Sequence, residues 1–191
     1  MITLFRPNSV RDAAERAYGR VVEQARRPGF FIDCGVPDTV DGRFELICLH
    51  AFLYLHRLKR EQPGAAGPGQ RFFDMMFADF DRSLREMGTG DLSVGREIKR
   101  MAEAFYGRVA AYEQGLTGDD SALEAALQRN LYGTAPPTQA NLQAIALYVR
   151  HEAVRLARQG AGELLAGQIT FGDPPRSSLA DGAIPRLPDE Q

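Results

Sequence analysis

Residues 91–116 read DLSVGREIKRMAEAFYGRVAAYEQGL, and this stretch decides the fold class. Val94, Ile98, Met101, Phe105, Val109, Tyr112 and Leu116 recur every three or four residues, which puts them on one stripe of an α-helix and rules out strand alternation. Asp91 or Ser93 can cap its start. A helix with one continuous apolar stripe must bury it against other elements, so the flanking sequence is read for helices that offer a matching face.

Just upstream, Gln70 to Met87 supplies one. Phe73, Met76, Phe77, Phe80, Leu84 and Met87 fall in a single arc at helical spacing, with Asp74, Asp81, Arg82 and Arg85 opposite. Gly88-Thr89-Gly90 separates the two helices, and the breaker-rich run Gln62 to Gly69 predicts a loop before them. From about Gly42 to Arg60 the chain is apolar nearly all round. Only Arg43, His50 and Arg57 share a narrow polar stripe, the signature of a helix at the centre of a bundle. Asn8 or Ser9 can cap a first amphipathic helix ending near Arg27, before Pro28-Gly29. The aromatic run Phe30 to Cys34, bounded by glycines, predicts a short extended segment or a buried loop.

Downstream, Asp119 to Leu131 reads as a shorter helix stopped by Gly133 and Pro136-Pro137. Thr138 caps a last long helix through Leu142, Ile145, Val149, Leu156 and Leu164 to about Ala166, bent or frayed at Gly160 and Gly162. Beyond Gly172 the composition is that of a disordered tail. The expected fold is all-α: a single-domain bundle of about six helices over 1–171, a short extended segment near 30–34, and a disordered C-terminal tail over 172–191.

The formal charge of −2 and pI near 6.0 remove the global basic footprint of a general nucleic-acid binder, and no DNA partner is expected. Cys34 and Cys48 lie in apolar surroundings without C-x-x-C spacing, which predicts reduced, buried thiols. The first residues lack a long apolar core, and Asp12 and Glu15 follow soon after. A secretory signal or a mitochondrial presequence is therefore not expected, and the location is read as cytoplasmic, with peripheral contact at the inner face of the membrane allowed. The most apolar stretch, Phe44 to Leu58, is interrupted by Glu45, His50, His56 and Arg57, so no span is expected.

Catalytic, metal and cofactor residues are all expected to be none. His50 and His56 lie six apart and point about 120° from each other on a helix. His151-Glu152-Ala153-Val154-Arg155 begins like a zinc-protease helix but ends in arginine. The glycine-rich runs lack the strand and the Lys-Ser/Thr of a phosphate loop, and no serine or cysteine stands in a nucleophile context. Asp79 with Asp81 and Asp119 with Asp120 read as solvated faces.

The candidate contacts are charged. Arg96, Lys99 and Arg100 occupy the first turns of the helix over 91–116, where the helix dipole disfavours each cation by about 0.3–1 kcal/mol. With Asp81, Arg82 and Arg85 on the preceding helix they form a candidate partner-binding surface, set against the plainer reading of a solvated face. An anionic lipid surface, ribosomal RNA or an acidic protein segment would suit it.

Three runs carry a resemblance to a known family: Phe72 to Gly88 (FFDMMFADFDRSLREMG), Gly90 to Gly95 (GDLSVG) and Ile98 to Arg108 (IKRMAEAFYGR). Together with Asp38 to Leu46 and Arg129 to Gly133, they make residues 37–133 similar to the ubiquinol–cytochrome c chaperone family. The family's basic segment is here Val94-Gly95-Arg96-Glu97-Ile98-Lys99-Arg100, with an acid at Glu97. The resemblance implies an all-helical, cofactor-free, non-enzymatic assembly factor that binds newly made cytochrome b for the bc1 complex. A small assembly partner subunit and the ribosome are further partners it implies. The other classes are a helical lipid- or isoprenoid-binding protein or enzyme, which lacks the acid clusters that diphosphate chemistry needs, and a general polyanion-binding scaffold.

Overall fold

The computed structural model describes residues 7–61 and 64–176. Among them are eight α-helices and no strand: α1 (Pro7–Ala25), α2 (Gly29–Ile32), α3 (Val40–Leu58), α4 (Ala66–Glu86), α5 (Asp91–Thr117), α6 (Asp120–Asn130), α7 (Gln139–Arg158) and α8 (Ala161–Leu165). The all-α reading holds, and the helices beyond the expected six are the single turns α2 and α8.

The apolar α3 occupies the centre, packed against α1, α5 and α7, while α4 bridges α1 and α5 and α6 bridges α5 and α7. Leu46, Leu49, Phe52 and Leu53 are all closed to solvent. Each is stabilised by about 1.5–3 kcal/mol relative to exposure, which is why this sequence selects the middle position. The stripes read on α4 and α5 point inward through Met76, Phe77, Phe105 and Tyr112, all buried.

Local chemistry places the ends. Thr39 caps α3, its Oγ1 accepting from Gly42 N at 3.1 Å; Asp119 and Thr138 do the same for α6 and α7 at 3.0 and 3.1 Å. Gly42 is required there, because a Cβ would lie 1.9 Å from the carbonyl oxygen of Pro37. Gly167 has φ +77, and its Cβ would meet the carbonyl oxygen of Ala13 at 2.0 Å, so only glycine lets the chain after α8 settle on α1.

Three expectations are corrected. The segment near 30–34 is not extended: Ile32 N donates to Pro28 O at 2.9 Å, closing a helical turn that buries Phe30 edge-on to His50 and Tyr148 at 5.2 Å. Helix α4 begins at Ala66, inside the expected loop, because Pro68 falls in the first turn, where a missing N–H costs no hydrogen bond. The last helix is broken at the expected place, with Gly160 extended between α7 and α8. On α3, His50 and Arg57 face inward. His50 Nδ1 donates to Leu46 O at 2.7 Å, Tyr148 OH donates to His50 Nε2 at 2.9 Å, and Arg57 Nε donates to Leu156 O at 2.9 Å. His50 and Arg57 thus form a polar seam with α7 and its C-terminal edge, while Arg43 is exposed and pairs with Asp38.

Past α8 the chain forms a strap that runs beyond the expected limit at Gly172. Gln24 Nε2 donates to Gly172 O at 2.7 Å, Gly172 N donates to Glu152 Oε2 at 2.9 Å, and Arg27 pairs with Asp173 at 2.7 Å. Gly172 and Asp173 are therefore fastened to α1 and α7, and Cys34 Sγ donates to Pro175 O at 3.5 Å. The rest of the expected tail, 177–191, lies outside the described residues.

Candidate functional site

A groove of about 780 Å³ opens where the start of α3, the C-terminal half of α4 and the middle of α5 converge, with Arg129 to Leu131, Gly133 and Thr134 lining it as well. Its apolar walls are Phe44 and Ile47 from α3, Phe80 and Leu84 from α4, Met87 just past the end of α4, and Met101 from α5. The Phe44 and Phe80 rings meet at 5.0 Å. Phe80 thus both packs in the core and borders the groove, whereas Phe105 is core alone.

An ion pair sits among these apolar walls. Arg108 donates from Nε to Glu45 Oε2 at 2.6 Å and from Nη2 to Oε1, and its guanidinium lies 5.6 Å from the Phe44 ring centre. Burial raises the Glu45 carboxyl, while the guanidinium beside it pulls the other way. Tyr112, just behind, has a buried hydroxyl without a hydrogen-bond partner among the described residues, and burial holds its pKa high. Arg26, Asp41, Glu86 and Arg129 line the opening, exposed and outside any ion pair among the described residues.

The charged residues expected from sequence lie beside this groove, around the turn from α4 to α5. Arg96, Lys99, Arg100, Arg82 and Arg85 are exposed and Asp81 is half-buried; of the six only Arg100 lines the groove. Most are matched: Arg100 with Glu97 at 2.6 Å, Lys99 with Glu103 at 3.9 Å, Arg85 with Asp81 at 2.6 Å and with Asp91, and Arg82 with Asp79. Arg96 has no such partner among the described residues. These pairings give the solvated-face reading its physical content, since exposed pairs of this kind contribute about 0–1 kcal/mol each.

Reactive groups do not converge. His56 Nδ1 faces Glu113 at 3.3 Å, His151 is exposed, and His50 is sealed inside the bundle. Burial pushes the Cys34 thiol up to about 12 and Cys48 well above its usual value, so neither supplies thiolate near neutrality. No group of three or more His, Cys, Asp or Glu among the described residues is placed to hold a metal. No helix among them is long and apolar enough to cross a membrane.

Sequence reasoning missed the Glu45–Arg108 pair. The available signal was an acid inside an otherwise apolar helix, but nothing local says which base 63 positions away answers it.

The family model described as Ubiquinol-cytochrome C chaperone matches residues 32–171, wider than the stretch 37–133 that carries the resemblance. The chain is 29% identical over 163 residues to the Ubiquinol-cytochrome-c reductase complex assembly factor 1 of Xenopus laevis, covering 85% of this chain and 82% of that protein. It is 26% identical over 150 residues to the Protein CBP3, mitochondrial, of Saccharomyces cerevisiae, covering 76% of this chain but 44% of that one. The crystal structure of the Cbp3 homolog from Brucella abortus superposes with a TM-score of 0.79 at 37% identity, covering 87% of this chain and 92% of the other.

Proposed function

The chain belongs to the ubiquinol-cytochrome C chaperone family, and from that premise we propose that it is a non-catalytic assembly factor for the bc1 complex that holds newly made cytochrome b. The observation that carries this reading is the family match across 32–171, which takes in α3 to α8 and the groove. A multispanning client exposes apolar helices before it is assembled, and an open apolar groove on a soluble scaffold can hold one transiently without chemistry. The inert thiols and scattered histidines accord with a binding role.

The charged end formed by Arg96, Lys99, Arg100, Asp81, Arg82 and Arg85 is the surface proposed for a polar partner, such as a small assembly subunit or the ribosome. It lies next to the groove, so one molecule can meet both a client and the machinery that delivers it. Action at the cytoplasmic face of the membrane follows from the same reading. The test is co-purification: the tagged full chain should recover cytochrome b from cells during its synthesis. Failure to recover it, with the chain folded and expressed, contradicts the proposal.

A further inference from the structure

A second recess, of about 450 Å³, lies between α1 and the strap that follows α8 and shares no lining residue with the groove. Arg20 and Gln24 reach it from one face of α1, Arg27 reaches it from just past the helix end, and Ile169 to Phe171 form the opposite wall. The function proposed above does not involve this recess.

Several polar groups along it are left over by the fold. Gln24 is 6% exposed, and its amide can stand only one way round, because Nε2 donates to Gly172 O at 2.7 Å as well as to Tyr148 OH at 2.9 Å, and a carbonyl accepts only from the nitrogen. Gln24 Oε1 therefore has no partner among the described residues. The strap supplies the others. Gln159 takes both backbone groups of Thr170, donating from Nε2 to its carbonyl at 2.7 Å and accepting from its N–H at 3.0 Å, as a neighbouring strand would. In an extended chain the backbone groups of successive residues point to opposite sides, so those of Ile169 and Phe171 turn away from Gln159. None of these four groups has a partner among the described residues, and Ile169 is only 3% exposed. The wall of the recess is thus a short unpaired strand edge, the kind of surface to which an extended peptide adds through main-chain hydrogen bonds.

The arginines set what that peptide carries. Two guanidiniums line the recess with one carboxylate, Glu23. Arg20 pairs with Glu23 at 2.9 Å and Arg27 with Asp173 at 2.7 Å, but both pairs are open to water and hold weakly. A guanidinium has five N–H donors, so an incoming carboxylate can be received without displacing either acid outright. The volume falls in the range of roughly 300–1,000 Å³ in which proteins hold small ligands, so the segment engaged is short.

We propose that this recess binds a short, extended, acidic segment of a partner protein. The segment pairs as a strand with the backbone of Ile169 and Phe171, gives an N–H to Gln24 Oε1 and sets a carboxylate against Arg20 and Arg27.

The test uses a fluorescently labelled peptide of about five residues, in the order serine, valine, glutamate, valine, serine, capped at both ends. One control peptide has glutamine in place of glutamate, and another is methylated on every backbone nitrogen. Binding to the full chain is followed by anisotropy, with a thermal melt of each variant and with hydrogen exchange of the strap amides. The first peptide should bind saturably and slow exchange at Ile169 and Phe171, while Gly172, which already donates to Glu152, stays as it was. The methylated peptide should bind at least roughly ten-fold more weakly. The glutamine peptide should bind several-fold more weakly, and the double variant Arg20→Gln with Arg27→Gln should melt as the parent does and no longer distinguish glutamate from glutamine. Val40→Glu, in the groove, should bind as the parent does. Absence of saturable binding, or equal binding by the methylated peptide, overturns the strand pairing. Equal affinity of the parent for glutamate and glutamine overturns the acidic occupant, and loss of binding in a folded V40E places the peptide in the groove and overturns the recess.

Discussion

Arg108 on α5 and Glu45 on α3 form a two-pronged hydrogen-bonded ion pair beside the groove, with Nε to Oε2 at 2.6 Å and Glu45 only 7% exposed. Truncating one partner strands a charge that burial has desolvated. Glu45→Ala or Arg108→Ala should each cost about 3–5 kcal/mol, and the double change Glu45→Leu with Arg108→Met should recover most of that loss. Urea unfolding of the three variants checks it. Equal losses in single and double variants would mean that the pair does not join the helices.

Much of the architecture was legible because it rests on periodicity. The stripe from Val94 to Leu116 and the arc from Phe73 to Met87 both led to helices that face inward, and Thr138 caps α7 as its position suggested, whereas α5 starts from Gly90 with no side-chain cap from Asp91 or Ser93. What escaped depends on contacts distant in sequence. Phe30 is helical because His50 and Tyr148 receive it, and the strap is ordered because Gln24 and Glu152 await Gly172. The groove escaped for a related reason: Phe80 and Met87 belong to one stripe, yet one is buried and the other is open, and only packing separates them.

His50 makes stability depend on pH in a definite direction. Its imidazole is enclosed, which lowers its pKa from 6.5 to about 4. The folded pKa lies below the unfolded one, so the unfolded chain binds the proton first, and stability present above pH 6.5 is lost as pH falls towards 4. The contribution between pH 7 and about pH 4.5 is about 2–3 kcal/mol. In His50→Gln the same acidification should cost less by that amount, read from urea unfolding at the two pH values. Equal pH dependence in parent and variant would show that His50 is not the group responsible.

The strap supplies partners to buried polar groups. A chain ending at Thr170 leaves Gln24 and Glu152 without Gly172, and should be about 2–4 kcal/mol less stable than one ending at Arg176. Paired melts of the two chains measure this. Coincident melts would mean that residues 171–176 carry no share of the fold's stability.

The charged end of α5 behaves differently. Arg96, Lys99 and Arg100 are exposed and their pairs with Glu103 and Glu97 are open to water. Replacing all three with glutamine should move stability by no more than about 0.5 kcal/mol, while association with a polar partner weakens and loses its salt dependence. A melt beside a pull-down of newly made cytochrome b and its associated proteins at two salt concentrations separates the two effects. Unchanged recovery of every associated protein would return these residues to a solvated face.

The central claim, that the chain serves assembly of the bc1 complex, is tested most directly in a cell from which its gene is removed. Difference spectra of the membranes report the b-type haems of the complex, and a pulse-chase reports the lifetime of cytochrome b. The account predicts loss of the bc1 haem absorbance and rapid loss of cytochrome b, both restored by the intact chain. Normal bc1 spectra together with an unchanged cytochrome b lifetime would contradict it.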